Sequence, residues 1–331
     1  MNRARQAVSV LLAACVILLC GCATRGPLLE SPARVVELES TPFFPQSRHE
    51  CGPAALATVL GASQVPVKPE DLEKRIYLPG RRGSLQIEMQ AAPRAYGRLS
   101  YRIASELSAI VHEVDAGRPV LVLHNYGLPF WPRWHYAVVV GYDGARDRII
   151  MRSGTTRRQV LSAANFMRAW DNGGRWALVM LRPGELPTTP DRRRYLESVA
   201  AFEGVASAQD AWRSFDAAAR QWPDDPVALI GRGTASYRSG TLGTAIEDYR
   251  AALSIDAGLS GARNNLAVAL LESGCIDEAR AQIAQIDTRQ LGEPMKAAVL
   301  DTQQQIDRRS AAGSSASICA RAGPAVGQAP P

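Results

Sequence analysis

"PQSRHECGPAALATVL", Pro45 to Leu60, places Cys51 immediately before a Gly-Pro pair and an alanine-rich helical run. The fold and the function both turn on whether Cys51 is a nucleophile at a helix start or a small buried residue beginning a core helix. A thiol acts as a nucleophile in its thiolate form, so a catalytic cysteine needs its pKa lowered from about 8.5. Unpaired N–H groups at a helix N-terminus favour an anion. Pro53 suits the first helical turn, where no N–H is required, and Gly52 is expected to let the chain turn tightly. A histidine must supply the rest and act as general base and acid.

The chain holds four histidines. His49 lies two residues before Cys51 and is at most a lining residue. His112 falls inside an amphipathic helical pattern and reads as structural. His124 ends an apolar strand pattern and fits either role. His135 opens "HYAVVVGYD", where a general base would be rigidly held yet accessible.

Outward from this stretch, the pattern from Thr41 to Arg182 is helical first and strand-like later, an α+β arrangement. Helices are expected from Cys51 to about Leu60, over 84–97 with Pro93 kinking or ending it, and over 105–117 with Ser105 as N-cap. Strands are expected over 118–124, 135–143, 148–153 and 175–181, joined as antiparallel hairpins. A proline-rich linker follows, 183–191. Beyond it Ala211, Ala245 and Ala279 recur every 34 residues, as do Phe215, Tyr249 and Ile283, and Gly240 precedes Gly274 by the same interval. That period, with Gly at turns and Ala where helices cross, is the tetratricopeptide signature, expected over 192–309 with a disordered tail over 310–331.

At the N-terminus, Arg3 and Arg5 precede the apolar run "AVSVLLAACVILL", which has the length of a signal peptide. "LCGC", Leu19 to Cys22, resembles a bacterial lipobox. The resemblance implies cleavage after residue 21, lipidation of Cys22, and a tether over 22–40. Ala23 in place of Asp favours the outer membrane, facing the periplasm. Of the cysteines left, Cys275 and Cys319 could pair, which leaves Cys51 free. The net charge of +6 is diffuse, with no basic stripe alternating with aromatics, so nucleic acid is not an expected partner.

"PQSRHECGPAAL" together with "HYAVVVGYD" resembles the papain-like, bacteriocin-processing double-glycine leader peptidases, cysteine peptidase family 39, over residues 41–182. The resemblance implies Cys51 as nucleophile and His135 as general base, with Gln46 donating to the oxyanion beside the Cys51 N–H. It implies no metal and no cofactor. The family places Asp-Pro after the strand that follows the histidine, and here Ser153-Gly154 stands instead. The departure leaves three alternatives, a working dyad, a triad assisted by Ser153 as third member, or a weakened enzyme, with Asp143 as a substitute from the hairpin turn, where Asp more often just makes the turn. The expected function is hydrolysis of a peptide or protein substrate by a lipid-anchored peptidase, with the repeats binding substrate or a partner protein. A non-catalytic assembly lipoprotein is the alternative. Acyl transfer to an amine shares the same acyl-enzyme. The aromatic stretch "GLPFWPRWH", 127–135, lines a cleft or packs as a lid.

Overall fold

The computed structural model describes residues 28–29, 34–45, 51–81, 83–128 and 130–311. The expectations for the signal peptide, Cys22, Gln46, His49, Cys319 and the end of the tail lie outside these residues.

The α+β part is built on one antiparallel sheet in the order β2-β7-β3-β4-β5-β6. Its strands are β2 (Leu99–Arg102), β3 (Val120–Asn125), β4 (Trp134–Asp143), β5 (Arg148–Ser153), β6 (Thr156–Ser162) and β7 (Ala177–Leu181). A seventh, β1 (Val35–Glu37), pairs with β4 at Gly141, Tyr142 and Asp143. β3 pairs with the first half of β4, so β1 extends the same edge past an irregularity between Val139 and Gly141. The stretch expected to be only a tether thus adds a strand to the sheet. A Cβ on Gly141 would lie 2.3 Å from the Val36 carbonyl oxygen, so this approach requires glycine.

Apolar side chains cover both faces, which explains why β3, β4 and β7 read as continuous apolar runs. On one face α1 (Cys51–Ala62) and α2 (Pro69–Ile76) place Leu56, Leu60 and Leu72 against Leu121, Val138, Val140 and Leu178. α3 (Gln86–Ala91) ends short of Pro93 in a 3-10 turn over Ala92–Tyr96, as proline demands. On the other face α4 (Leu107–Asp115) and α5 (Ala163–Asn172) place Ile110, Val114, Phe166 and Trp170 against Val120, Val122, Val139 and Val179. The N-cap of α4 is Glu106, not Ser105, and no side-chain bond caps it.

The helical part comprises α6 (Arg192–Glu203), α7 (Ala208–Gln221), α8 (Pro226–Arg238), α9 (Leu242–Ile255), α10 (Ser260–Glu272), α11 (Ile276–Ile283) and α12 (Glu293–Ala311). Ala211, Ala245 and Ala279 are fully buried, and Gly240 and Gly274 turn with φ of +79° and +81°. Phe215 fills the space over Gly231 of the next repeat, where a Cβ would approach its ring to 2.3 Å. This is tetratricopeptide packing.

The two parts share a core. Tyr195, Val199, Phe202 and Phe215 belong to the same apolar cluster as the sheet residues Leu99, Tyr101 and Val179. Asp191 N–H donates to the Tyr101 hydroxyl at 3.0 Å, and Glu113 accepts from the N–H and hydroxyl of Thr188 at 2.7 Å each. Cys275 is disulfide-bonded, and its expected partner Cys319 lies outside the described residues.

Candidate active site

Cys51 is the first residue of α1, a helix buried from Gly52 to Leu60. A Cβ on Gly52 would stand 2.5 Å from Ser84 Oγ and 3.3 Å from Met89 Sδ. The glycine is therefore required by the close passage of the segment entering α3, not by a turn of its own backbone. Cys51 is half-buried and is a free thiol. The backbone N–H of Tyr136 points at its sulfur, as do those of Gly52 and Cys51. Burial nevertheless dominates and raises the thiol pKa above its ordinary value, with these three N–H groups opposing the rise.

Tyr136 belongs to β4, next to His135. It is locked by a 3.3 Å bond from its hydroxyl to the Ser84 carbonyl and by the edge of Trp176 at 5.7 Å. His135 is thus held one residue from the group that meets the thiol. Its Nε2 lies 2.9 Å from Ser153 Oγ. Ser153 ends β5 just before Gly154, whose φ of +57° opens the hairpin to β6. The Ser153 contact turns Nδ1 of the imidazole to the opposite side of the ring. Burial lowers the His135 pKa. Burial thus favours the neutral form of both groups, and no hydrogen bond joins them among the described residues.

Asp143 is excluded as the third member. It stands at the other end of β4, where it caps the turn by accepting from the Arg146 N–H and guanidinium at 3.0 and 2.9 Å. His112, on α4, is remote from this site and lines a separate cleft with Asp115 and Tyr142.

Two side chains neighbour His135: His124, which the sequence left open between a structural and a functional role, and Tyr126, which it did not single out. His124 sits directly opposite His135 in the β3–β4 register, wholly buried. Its Nδ1 is 2.8 Å from the Tyr126 hydroxyl, Phe166 packs against it edge-on at 5.0 Å, and its Nε2 has no hydrogen-bond partner among the described residues. Burial, aided by adjacent His135, lowers its pKa to about 3. The Tyr126 ring in turn lies 6.0 Å from the His135 ring. Antiparallel pairing of "VLVLHN" with "WHYAVV" was the signal that would have placed the two histidines together.

The β3–β4 loop presents its large apolar side chains to solvent. Buried Asn125 Oδ1 accepts from the N–H groups of Gly127 and Arg133, both at 2.8 Å, which fixes the base of the loop. Leu128, Phe130, Trp131 and Trp134 are all more than half exposed. Among the described residues no group of His, Cys, Asp and Glu is placed to hold a metal, and no helix is long and apolar enough to cross a membrane.

Residues 38–177 match the profile of the Peptidase_C39-like family. This part of the chain is a C39 cysteine-peptidase-like domain. No curated protein sequence matches the chain. Solved structures similar to the C39-like domain include a Bacillus anthracis protein described as a C39-like peptidase, 17% identical over 45% of this chain and 98% of that one, TM-score 0.38. Another is a double-glycine-motif protease from an AMS/PCAT transporter in complex with the leader peptide, 20% identical over 46% and 96%, TM-score 0.32. The TPR domain of Sgt2 from Aspergillus fumigatus is 20% identical over 39% and 87%, TM-score 0.34.

Proposed function

We propose that the C39-like domain is a working cysteine peptidase with Cys51 as nucleophile and His135 as general base. The observation that carries this reading is the His135–Ser153 contact: in the tautomer in which Ser153 accepts from Nε2–H, Nδ1 is left as the proton acceptor. The Cys51 proton passes to Nδ1 as the sulfur attacks the scissile carbonyl. The oxyanion is held by the Cys51 N–H with the Gln46 side chain. Collapse breaks the C–N bond, and the His135 imidazolium returns its proton to the leaving amine. Water, deprotonated by His135, then cleaves the thioester and frees the thiol. Neutral resting groups suit this sequence, since the proton moves only when substrate brings the developing charge. Ser153 orients the imidazole but supplies no carboxylate to stabilise its charged form.

The exposed loop bearing Phe130, Trp131 and Trp134 forms one wall for the substrate chain. The repeats bind substrate or a partner protein, and Cys22 carries the lipid that holds the protein on the periplasmic face of the outer membrane. Loss of palmitate incorporation in Cys22→Ser tests the anchor.

The peptidase reading is tested with the whole chain, because removing the repeats would strip Tyr195, Val199 and Phe202 from the sheet core. A peptidyl vinyl sulfone should add one equivalent to the protein by intact mass, at Cys51, and His135→Ala should slow the addition by roughly 10² or more. Absence of labelling at Cys51 across a panel of peptides sinks the proposal. The second reading, a non-catalytic assembly lipoprotein, draws on the raised thiol and on serine in place of aspartate, and predicts that absence.

A further inference from the structure

Where α6 meets the sheet there is a cleft of about 350 Å³ that the peptidase reading does not use. Four arginines line it: Arg94 from the 3-10 turn after α3, Arg102 from the end of β2, and Arg193 and Arg194 from the first turn of α6. One carboxylate, Glu197, lines it with them and is taken up by Arg193 at 2.7 Å. The guanidinium groups of Arg94, Arg102 and Arg194 have no ion pair and no hydrogen bond among the described residues. Elsewhere in the molecule Arg118, Arg152 and Arg232 lie against carboxylates. Arg94 is part-buried, and burial lowers its pKa with no acid opposing the shift. A cation desolvated without a partner is unfavourable and is relieved by an anion that completes the site.

We propose that this cleft binds a small polyanion bearing phosphate or carboxylate groups. The planar guanidinium fork matches both groups in two-bond geometry. Three forks on three different elements call for more than one negative charge on the ligand. The N-terminal end of α6 adds its positive field, although Asp191 already takes the Arg194 N–H at 2.9 Å. Such a ligand would bridge the C39-like domain and the first helix of the repeats.

The test is isothermal titration of the full chain with pyrophosphate and, separately, with tricarballylate, at fixed ionic strength. Binding of one or both is expected, and the tighter ligand identifies the anion chemistry. Arg94→Gln/Arg102→Gln should weaken it about tenfold or more. Arg102→Gln alone, at an exposed position that folding does not depend on, should weaken it in the same direction. Arg168→Gln, an exposed arginine on α5, should leave it unchanged. No heat with either ligand, or an affinity equal in wild type and Arg102→Gln, overturns the proposal.

Discussion

Ser153 Oγ lies 2.9 Å from His135 Nε2, in the place where a carboxylate would hold the imidazolium. A hydroxyl holds the ring plane, but because it can donate or accept it does not select the tautomer, and it offers no negative charge to the protonated ring. Ser153→Asp should therefore raise kcat/KM on a cleaved peptide, by about 10- to 100-fold, a fraction of the roughly 10⁴ that a buried triad aspartate contributes elsewhere. Ser153→Ala should lower it. Equal rates for wild type and both variants would show that the contact does not serve catalysis.

The resting thiol should be unreactive. Burial lifts the Cys51 pKa, so simple alkylation by iodoacetamide should rise with pH to a midpoint above that of an ordinary cysteine. His135→Ala should move this midpoint little, because no imidazolium stands beside the thiol at rest. Alkylation with a midpoint well below 8.5 that rises on removing His135 would instead reveal a preformed thiolate–imidazolium pair.

The sequence offered the candidate site through residue types whose chemistry is rare in combination: a thiol before Gly-Pro, and a histidine opening a valine-rich strand. The repeats were legible because stacking demands the same small and large residues every 34 positions. What escaped were contacts set by pairing register and close approach. β6 is an edge strand whose first half is exposed and basic, so "TRRQVLS" carried only the short apolar pair Val160-Leu161. β1 is three residues long and read as tether. Gly52 looked like a turn glycine because nothing local announces Ser84, which lies 32 positions away. Tyr126 and His124 became neighbours of His135 only once β3 and β4 were paired.

His124 should make the protein acid-sensitive. Its folded pKa of about 3 lies below the ordinary histidine value near 6.5, so between these values the unfolded chain binds the extra proton. Stability from this residue is complete above about pH 6.5 and declines as pH falls toward 3, by at most about 1.4 kcal/mol per pH unit. His124→Phe keeps the ring among Phe166 and its neighbours and has no proton to gain. Urea unfolding midpoints should thus fall less between pH 7 and pH 4.5 for the variant than for wild type. Parallel pH dependences would mean that His124 is already protonated in the fold.

Gly231 on α8 faces the ring of Phe215 on α7, and three ring atoms lie within 2.4 Å of where a Cβ would stand. Both positions are packed into the shared core, so the ring cannot simply rotate into solvent. Gly231→Ala must push α7 and α8 apart or force Phe215 from its rotamer, and should destabilise the chain by about 1–3 kcal/mol. This exceeds the modest gain that alanine brings to a helix interior, about 1 kcal/mol. The second-site change Phe215→Leu removes the ring edge that clashes. In the double variant the combined loss should be smaller than the sum of the single losses, measured by urea unfolding as a double-mutant cycle. Strictly additive losses would show that the two residues do not meet, and would place the repeat stacking on other contacts.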